Sequence, residues 1–298
     1  MWNGKGKLRA MQNLSSVVGP DRAVEQELVS VVIPTMNSAT TLEQCLQSVK
    51  AQTHSFIETI VVDGGSNDSS VSLAYKFTSH VISGNFGRSR ARFEGARQAQ
   101  GRYLLFLDSD QVLDPDVIQQ CVALARECGQ EVIRIPEVDV GTGVWASCRA
   151  LERQIAQSQG LSYPRFMSRD AYFEAGGHRS NLENYMEDRD LSLRLQQDHR
   201  RFGQISPRIT NLVGKVSLLT LSIKGFHTAA DAGAYYGYHK GRGTPDSLWR
   251  VIVPRIRGLV RASRLNGNPL VALALLFYIP IAYGPRFVRA IYGKWFLS

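Results

Sequence analysis

The feature that most constrains this chain is an alternation of short apolar runs with helical patterns between residues 30 and 107. Residues 30–36 (SVVIPTM) read as a buried strand ending at a proline-containing turn. Thr40 and Glu43 have capping-box spacing, and Leu42, Cys45, Leu46 and Val49 follow at helical intervals. That pattern predicts a one-faced helix over 40–51. Residues 57–62 (IETIVV) read as a second strand running into the polar turn Asp63-Gly64-Gly65-Ser66-Asn67-Asp68. A helix over 69–78, a short strand over 80–82, a basic helix over 87–100 and a strand over 103–107 (YLLFL) follow. Strands separated by helices form βαβ units, so a doubly wound, mainly parallel sheet is predicted. In such sheets ligands bind beyond the carboxyl ends of the strands, where this sequence concentrates polar residues.

The second half is less regular. It predicts a helix over 114–128, a strand over 131–138, a helix over 145–157 and a short strand over 165–167. A helix over 168–175 then ends at Gly176-Gly177, and another spans 187–195. No internal repeat or low-complexity segment interrupts it.

Charge is concentrated at one end. Of 35 basic and 26 acidic residues, ten and one respectively lie in residues 240–298, leaving 25 of each elsewhere. The tail also holds a 14-residue apolar run, 270–283 (LVALALLFYIPIAY), broken by Pro280. About 20 apolar residues are needed to span a bilayer, so this run suits an interfacial helix better than a span. Arg286, Arg289 and Lys294, interleaved with Phe287, Tyr292 and Trp295, resemble headgroup anchors, and residues 247–264 read as a basic helix. A membrane surface is the expected partner of the tail, and no nucleic acid is expected, because no nucleic-acid-binding fold signature accompanies the arginines. Residues 1–28 are mixed and polar, with no leader pattern. Cys45, Cys121, Cys128 and Cys148 form no CxxC pair and read as reduced thiols. Together these predict a cytoplasmic protein at the cytoplasmic face of a membrane. The expected division is an extension (1–28), one α/β domain (29–238) and a helical tail (239–298).

The strongest chemical signal is Leu104-Leu105-Phe106-Leu107-Asp108-Ser109-Asp110. An apolar strand delivers two carboxylates, two positions apart, at its end. Hard cations such as Mg²⁺ and Mn²⁺ favour carboxylate oxygens combined with phosphate oxygens. The alternative is an Asp-rich turn capping the next helix. Glu187-Asp188 likewise reads either as a functional pair or as a charged helix start stabilised by the macrodipole.

In combination these segments resemble the family 2 inverting glycosyltransferases of the GT-A fold, over roughly residues 29–195. Val31-Val32-Ile33-Pro34-Thr35-Met36-Asn37 resembles the family's opening strand and nucleotide-contacting turn. Asp63-Gly64-Gly65-Ser66-Asn67-Asp68 is similar to its Asp-Asp-Gly-Ser-x-Asp element, with Gly64 replacing the second Asp. Ala91-Arg92-Phe93-Glu94-Gly95 is similar to Ala-Arg-Asn-x-Gly, with Phe93 replacing Asn. Asp108-Ser109-Asp110 falls at the metal motif, and Gly176-Gly177-His178 with Tyr185-Met186-Glu187-Asp188 resembles Gly-Gly-Phe…Glu-Asp.

The resemblance implies a nucleotide-sugar donor, commonly a UDP-sugar, held by Pro34, Thr35, Asn37, Asp63, Arg92, Asp108 and Ser109. It implies Mg²⁺ or Mn²⁺ at Asp108 and Asp110, with His227 as a further ligand. Glu187 and Asp188 would be the catalytic pair, Asp188 as general base, with Arg165 and Gly177 toward the acceptor. A positioned carboxylate suits that task, because an acceptor hydroxyl is a poor nucleophile until its proton is removed. The later Gln-x-x-Arg-Trp element of processive synthases is absent, so transfer of one sugar to a glycan or lipid-linked acceptor is expected. A sugar nucleotidyltransferase on the same scaffold would carry a glycine-rich phosphate loop after strand one, where this chain has Pro34-Thr35-Met36-Asn37-Ser38. A non-enzymatic basic membrane- or nucleic-acid-binding protein is the other alternative, and a degenerate transferase that only binds would not need Asp63, Asp108, Asp110 and Asp188 together.

Overall fold

The first two apolar runs fold as β1 (Val29–Thr35) and β2 (Ile57–Asp63), paired in parallel so that Thr35 lies opposite Asp63. β3 (Val81–Ser83) extends the sheet beyond β2, and β4 (Tyr103–Phe106) returns to the other side of β1. Strand order therefore reverses at β1, which creates a crevice between the carboxyl ends of β1 and β4. The remaining strands are β5 (Gln111–Leu113), β6 (Val132–Arg134), β7 (Glu137–Thr142), β8 (Pro164–Ser168), β9 (Phe202–Gln204) and β10 (Ile209–Lys215). They complete a seven-stranded, mainly parallel sheet, β3-β2-β1-β4-β8-β6-β9, and a second sheet, β5-β10-β7. This computed structural model describes residues 27–158, 162–182 and 186–223, with 257, 258, 271, 273–275, 277, 278 and 281 of the tail.

Strand alternation sorts the core onto two faces. Val29, Val31 and Ile33 of β1, with Val61 and Leu105, pack against α1 (Leu42–Lys50), α2 (Ser70–Ala74) and α4 (Val117–Cys128). Val32, Ile60, Val62, Leu104 and Phe106 face α3 (Arg88–Gln98), α6 (Arg169–Glu174) and α7 (Glu187–Gln197). α5 (Val144–Ser158) packs beside β7 in the second unit of core. α3 sits unusually close to the sheet because Gly95 faces it: a Cβ there would lie 2.4 Å from Val32 Cγ1. That approach sets the depth of Arg92, one turn earlier on the same helix face.

Several expectations are corrected. The capping box at Thr40 and Glu43 is absent: α1 starts at Leu42, Thr41 makes no side-chain cap, and Ser38 O accepts from the amides of Thr41 and Leu42. The expected single strand over 131–138 breaks at Pro136, whose missing N–H cannot join a ladder, into β6 and β7 of different sheets. The helix expected from 114 begins at Val117, and β5, β9 and β10 went unpredicted, two of them being only three residues long.

The tail's apolar run is partly a packed helix. Val271, Ala274, Leu275 and Tyr278 bury against Ala146, Cys148 and Ile155 of α5 and against Val216 and Leu221. Tyr278 Oη donates to Glu152. Leu273 and Phe277, four residues apart, remain 58% and 57% exposed. Among the described residues no helix is long and apolar enough to cross a membrane, and the helix expected over 247–264 lies largely outside them.

Candidate active site

Three acidic segments meet at the carboxyl edge of β1, β2 and β4. Asp63 ends β2, where its Oδ2 accepts the amides of Gly65 and Ser66, both at 3.0 Å. Asn37, at φ 49°, closes the facing turn: its Oδ1 accepts Asn67 N at 2.8 Å and its own amide donates to Ser66 Oγ at 2.8 Å. The side chain of Asn favours this left-handed conformation more than most residues. Gly64, in place of an acid, lets the chain pass Phe86: a Cβ there would lie 2.7 Å from Phe86 O. Pro34 and Thr35 are buried at the end of β1, and Thr35 Oγ1 has no hydrogen-bond partner among the described residues.

Asp108-Ser109-Asp110 does not cap a helix; it turns directly into β5. Asp108 N donates to Gln111 Oε1 at 2.8 Å, and Gln111 Nε2 donates to Asn211 Oδ1 at 2.7 Å, which fastens the turn to β10. Ser109 Oγ donates to Ser38 Oγ at 2.8 Å, joining it to the loop after β1.

Arg92 links this turn to the second acidic pair. Its side chain is 1% exposed. Nη2 lies 2.6 Å from Asp108 Oδ1, and Nη1 lies 2.8 Å from Glu187 Oε1 and 3.1 Å from Asp188 Oδ1. A planar fork of fixed donors is suited to bridging carboxylates in this way. Arg165, from β8, adds a second bridge: Nη2 is 3.5 Å from Asp108 Oδ2, Nη1 is 3.4 Å from Asp188 Oδ2 and Nε is 3.0 Å from Glu137 Oε1.

These contacts set the protonation states. Burial alone would push Asp108 and Asp188 up, but Arg92 and Arg165 outweigh it and hold both carboxyls well below the usual range. Glu187 is pushed up, first by burial and then by the charge of Asp188. Asp110 is also pushed up, by burial and by Asp108. A cation would relieve that repulsion. The donor set, two hard carboxylates, fits Mg²⁺ or Mn²⁺ sharing its shell with phosphate oxygens and water. Among the described residues no group of three or more His, Cys, Asp or Glu side chains is arranged for a protein-only metal site, and His227 lies outside them.

Gly177 occupies a structural turn. It and Gly176 have φ of 62° and 82°, and Gly177 O accepts from Arg194 Nη2 at 2.7 Å. Sequence reasoning missed His178, Tyr172 and Glu137. His178 Nε2 lies 3.3 Å from Asp188 Oδ1, and its Nδ1 lies 3.0 Å from Tyr172 Oη. The available signal was a histidine where the resembled motif has phenylalanine.

The chain is similar to known glycosyltransferases in sequence and in fold. Glycosyltransferase GlyA of Streptococcus pneumoniae is 25% identical over 169 residues, 55% of this chain and 22% of that protein. The succinoglycan biosynthesis protein ExoO of Rhizobium meliloti is 27% identical over 186 residues, 57% of this chain and 53% of that protein. The chain thus spans about half or less of these relatives' lengths. In fold it is similar to the mannosyltransferase PcManGT of Pyrobaculum calidifontis, solved with GDP-Man and Mn²⁺, with TM-score 0.61 and 17% identity over 99% of this chain and 95% of that one. Residues 1–349 of S. aureus TarS, solved with UDP-GlcNAc, superpose with TM-score 0.52 and 16% identity over 87% of this chain and 90% of that one. Residues 30–186 match the family described as Glycosyl transferase family 2, more than half of the chain, and the protein belongs to that family.

Proposed function

We propose that this protein transfers a sugar from a nucleotide-diphosphate sugar to a hydroxyl or phosphate of a glycan or lipid-linked acceptor, with inversion at the anomeric carbon. The observation that carries this reading is the convergence of Asp108 and Asp188 on one buried guanidinium, Arg92, at the switch point of the sheet, with Asp63 at the end of β2 on the other side of β1. Named relatives in sugar transfer, and similar folds solved with UDP-GlcNAc and GDP-Man, support a nucleotide-sugar donor.

Asp63 and the unpartnered Thr35 hydroxyl would meet the base, with Pro34 and Asn37 shaping its turn and Ser109 beside the phosphates. Asp108 and Asp110 would hold the divalent cation, with His227 as a further ligand. When bound, the cation neutralises charge on the departing diphosphate. Asp188 would take the acceptor's proton as its oxygen attacks C1, with Glu187 beside it. Arg92 and Arg165 keep Asp188 ionised before the acceptor arrives, and they tie the base to the carboxylate on the leaving-group side. Attack opposite the departing diphosphate inverts the centre.

The exposed Leu273 and Phe277, beside Val271, Ala274, Leu275 and Tyr278 that pack toward α5, support a membrane-surface location for the tail. The test of function is turnover of a donor panel, with and without Mn²⁺, by parent and Asp188→Asn. Donor-dependent release of nucleoside diphosphate that Asp188→Asn abolishes is expected.

A further inference from the structure

His178 is almost fully buried, and each of its ring nitrogens has one partner. The hydrogen positions follow from the partners. The backbone amide of His178 donates to Tyr172 Oη at 3.0 Å, so that oxygen is an acceptor there. Asp188 is an ionised carboxylate that can only accept, so a neutral ring facing it carries its hydrogen on Nε2, and the bare Nδ1 accepts from the Tyr172 hydroxyl at 3.0 Å. The ring hydrogen lies on Nε2, facing Asp188 Oδ1 at 3.3 Å. Burial lowers the ring's pKa to about 4, which keeps it neutral.

Packing alone does not call for a histidine. The ring meets Phe106 edge to face, with centroids 4.8 Å apart, and an apolar ring satisfies that contact equally. What histidine adds is a donor on Asp188 and an acceptor for Tyr172. The backbone makes the placement: Gly176 and Gly177, both left-handed, fold the chain back toward α3, where a Cβ on Gly177 would lie 2.8 Å from Phe93.

The two oxygens of Asp188 are consequently unlike. Among the described residues, Oδ1 receives hydrogen bonds from Arg92 Nη1 and His178 Nε2. Oδ2 receives none; Arg165 Nη1 stands 3.4 Å away as an ion pair and makes no hydrogen bond. The groups facing Asp188 are Arg92 from α3, Arg165 from β8, His178 from the turn after α6, and Glu187 beside it on α7. Asp108 lies across both arginines.

We propose that His178, oriented by Tyr172, is a positioning residue that pins Oδ1 of Asp188 and leaves Oδ2 to receive the acceptor's proton. The inference rests on Asp188 being the base. In the step itself the acceptor O–H breaks, its proton goes to Oδ2 and its oxygen bonds to C1. The C1–O bond to the diphosphate breaks with its electron pair leaving on the diphosphate. A neutral N–H donor also favours the ionised carboxylate, so its loss raises the pKa of Asp188.

Long-range ¹H–¹⁵N spectra of the full chain read the tautomer, with His178→Phe assigning the ring. A protonated Nε2 and bare Nδ1 at pH 7 are expected; the opposite tautomer or an imidazolium overturns the proposal. Nucleotide release from UDP-GlcNAc or GDP-mannose with Mn²⁺, water serving as acceptor, supplies the second readout. His178→Phe should lower kcat about tenfold with donor KM unchanged and move the acid limb of the pH profile upward. His178→Gln, whose amide offers a donor in the same place, should recover most of it. An unchanged kcat and pH profile in His178→Phe overturns the inference. Asp188→Asn separates the two layers: full turnover there removes the base itself, whereas an inactive Asp188→Asn beside a fully active His178→Phe removes only the role of His178.

Discussion

At the scale of single residues, Arg92 carries the largest electrostatic burden. It is buried, and it pairs with Asp108, Glu187 and Asp188 at once. Removing one member of a buried ion cluster leaves uncompensated charge and costs about 3–5 kcal/mol. Arg92→Met should therefore lower the unfolding free energy from urea titration by that order, and Arg92→Lys, which has no fork, should recover only part. His178 makes a separate prediction in pH. Its folded pKa of about 4 lies below the ordinary 6.5, so the unfolded chain binds more protons between those values and stability falls as pH drops through that window. Asp108 and Asp188 are depressed too, so their contribution is kept above the usual carboxylate range and lost only in stronger acid. Glu187 is shifted the other way, but it is common to parent and variant. Urea titrations from pH 4 to 7 should show a shallower slope for His178→Gln than for the parent; equal slopes would contradict the buried, neutral ring.

At the scale of elements, the turn between α6 and α7 decides how the catalytic half is assembled. Gly177→Ala meets both a left-handed φ and Phe93 at 2.8 Å, whereas Gly176→Ala meets the φ alone, its nearest contact being Arg194 Nη1 at 3.7 Å. Both should destabilise, Gly176→Ala by about 1 kcal/mol and Gly177→Ala by more, as thermal unfolding would measure. This level also marks what was legible in the sequence. The βαβ half was readable because strands buried on both faces write continuous apolar runs, as Val31-Val32-Ile33 and Leu104-Leu105-Phe106 do. The second sheet was not. β10 (ITNLVGK) mixes polar residues and glycine with its apolar ones, and β5 is too short to show a period. In the site, the Asp108 and Asp188 segments stood out through their motifs and Arg92 and Arg165 through the resemblance, but Glu137 and His178 did not. Glu137 looks like an ordinary strand charge until Arg165 and Arg153 close on it, and His178 gains meaning only when the fold brings Asp188 beside it.

At the scale of the whole molecule, the chain joins a family 2 domain to a basic tail whose apolar run has two faces. The packed face and the exposed face should respond differently to charge. Leu275→Asp, buried among α5 residues, should lower thermal stability, while Phe277→Asp should leave stability unchanged and reduce binding to anionic vesicles in a flotation assay. Equal vesicle binding by parent and Phe277→Asp would remove this face from the membrane contact. The central claim is that one crevice holds two carboxylate groups with separate tasks: Asp63, Asp108 and Asp110 for the donor, Asp188 for the acceptor. Donor binding and turnover, measured side by side in parent and Asp188→Asn over a nucleotide-sugar panel with Mn²⁺, test it most directly. The account predicts that Asp188→Asn binds donor like the parent and turns it over about 10²–10⁴-fold more slowly. Comparable turnover by the two proteins, or no nucleotide sugar binding to either, would contradict it.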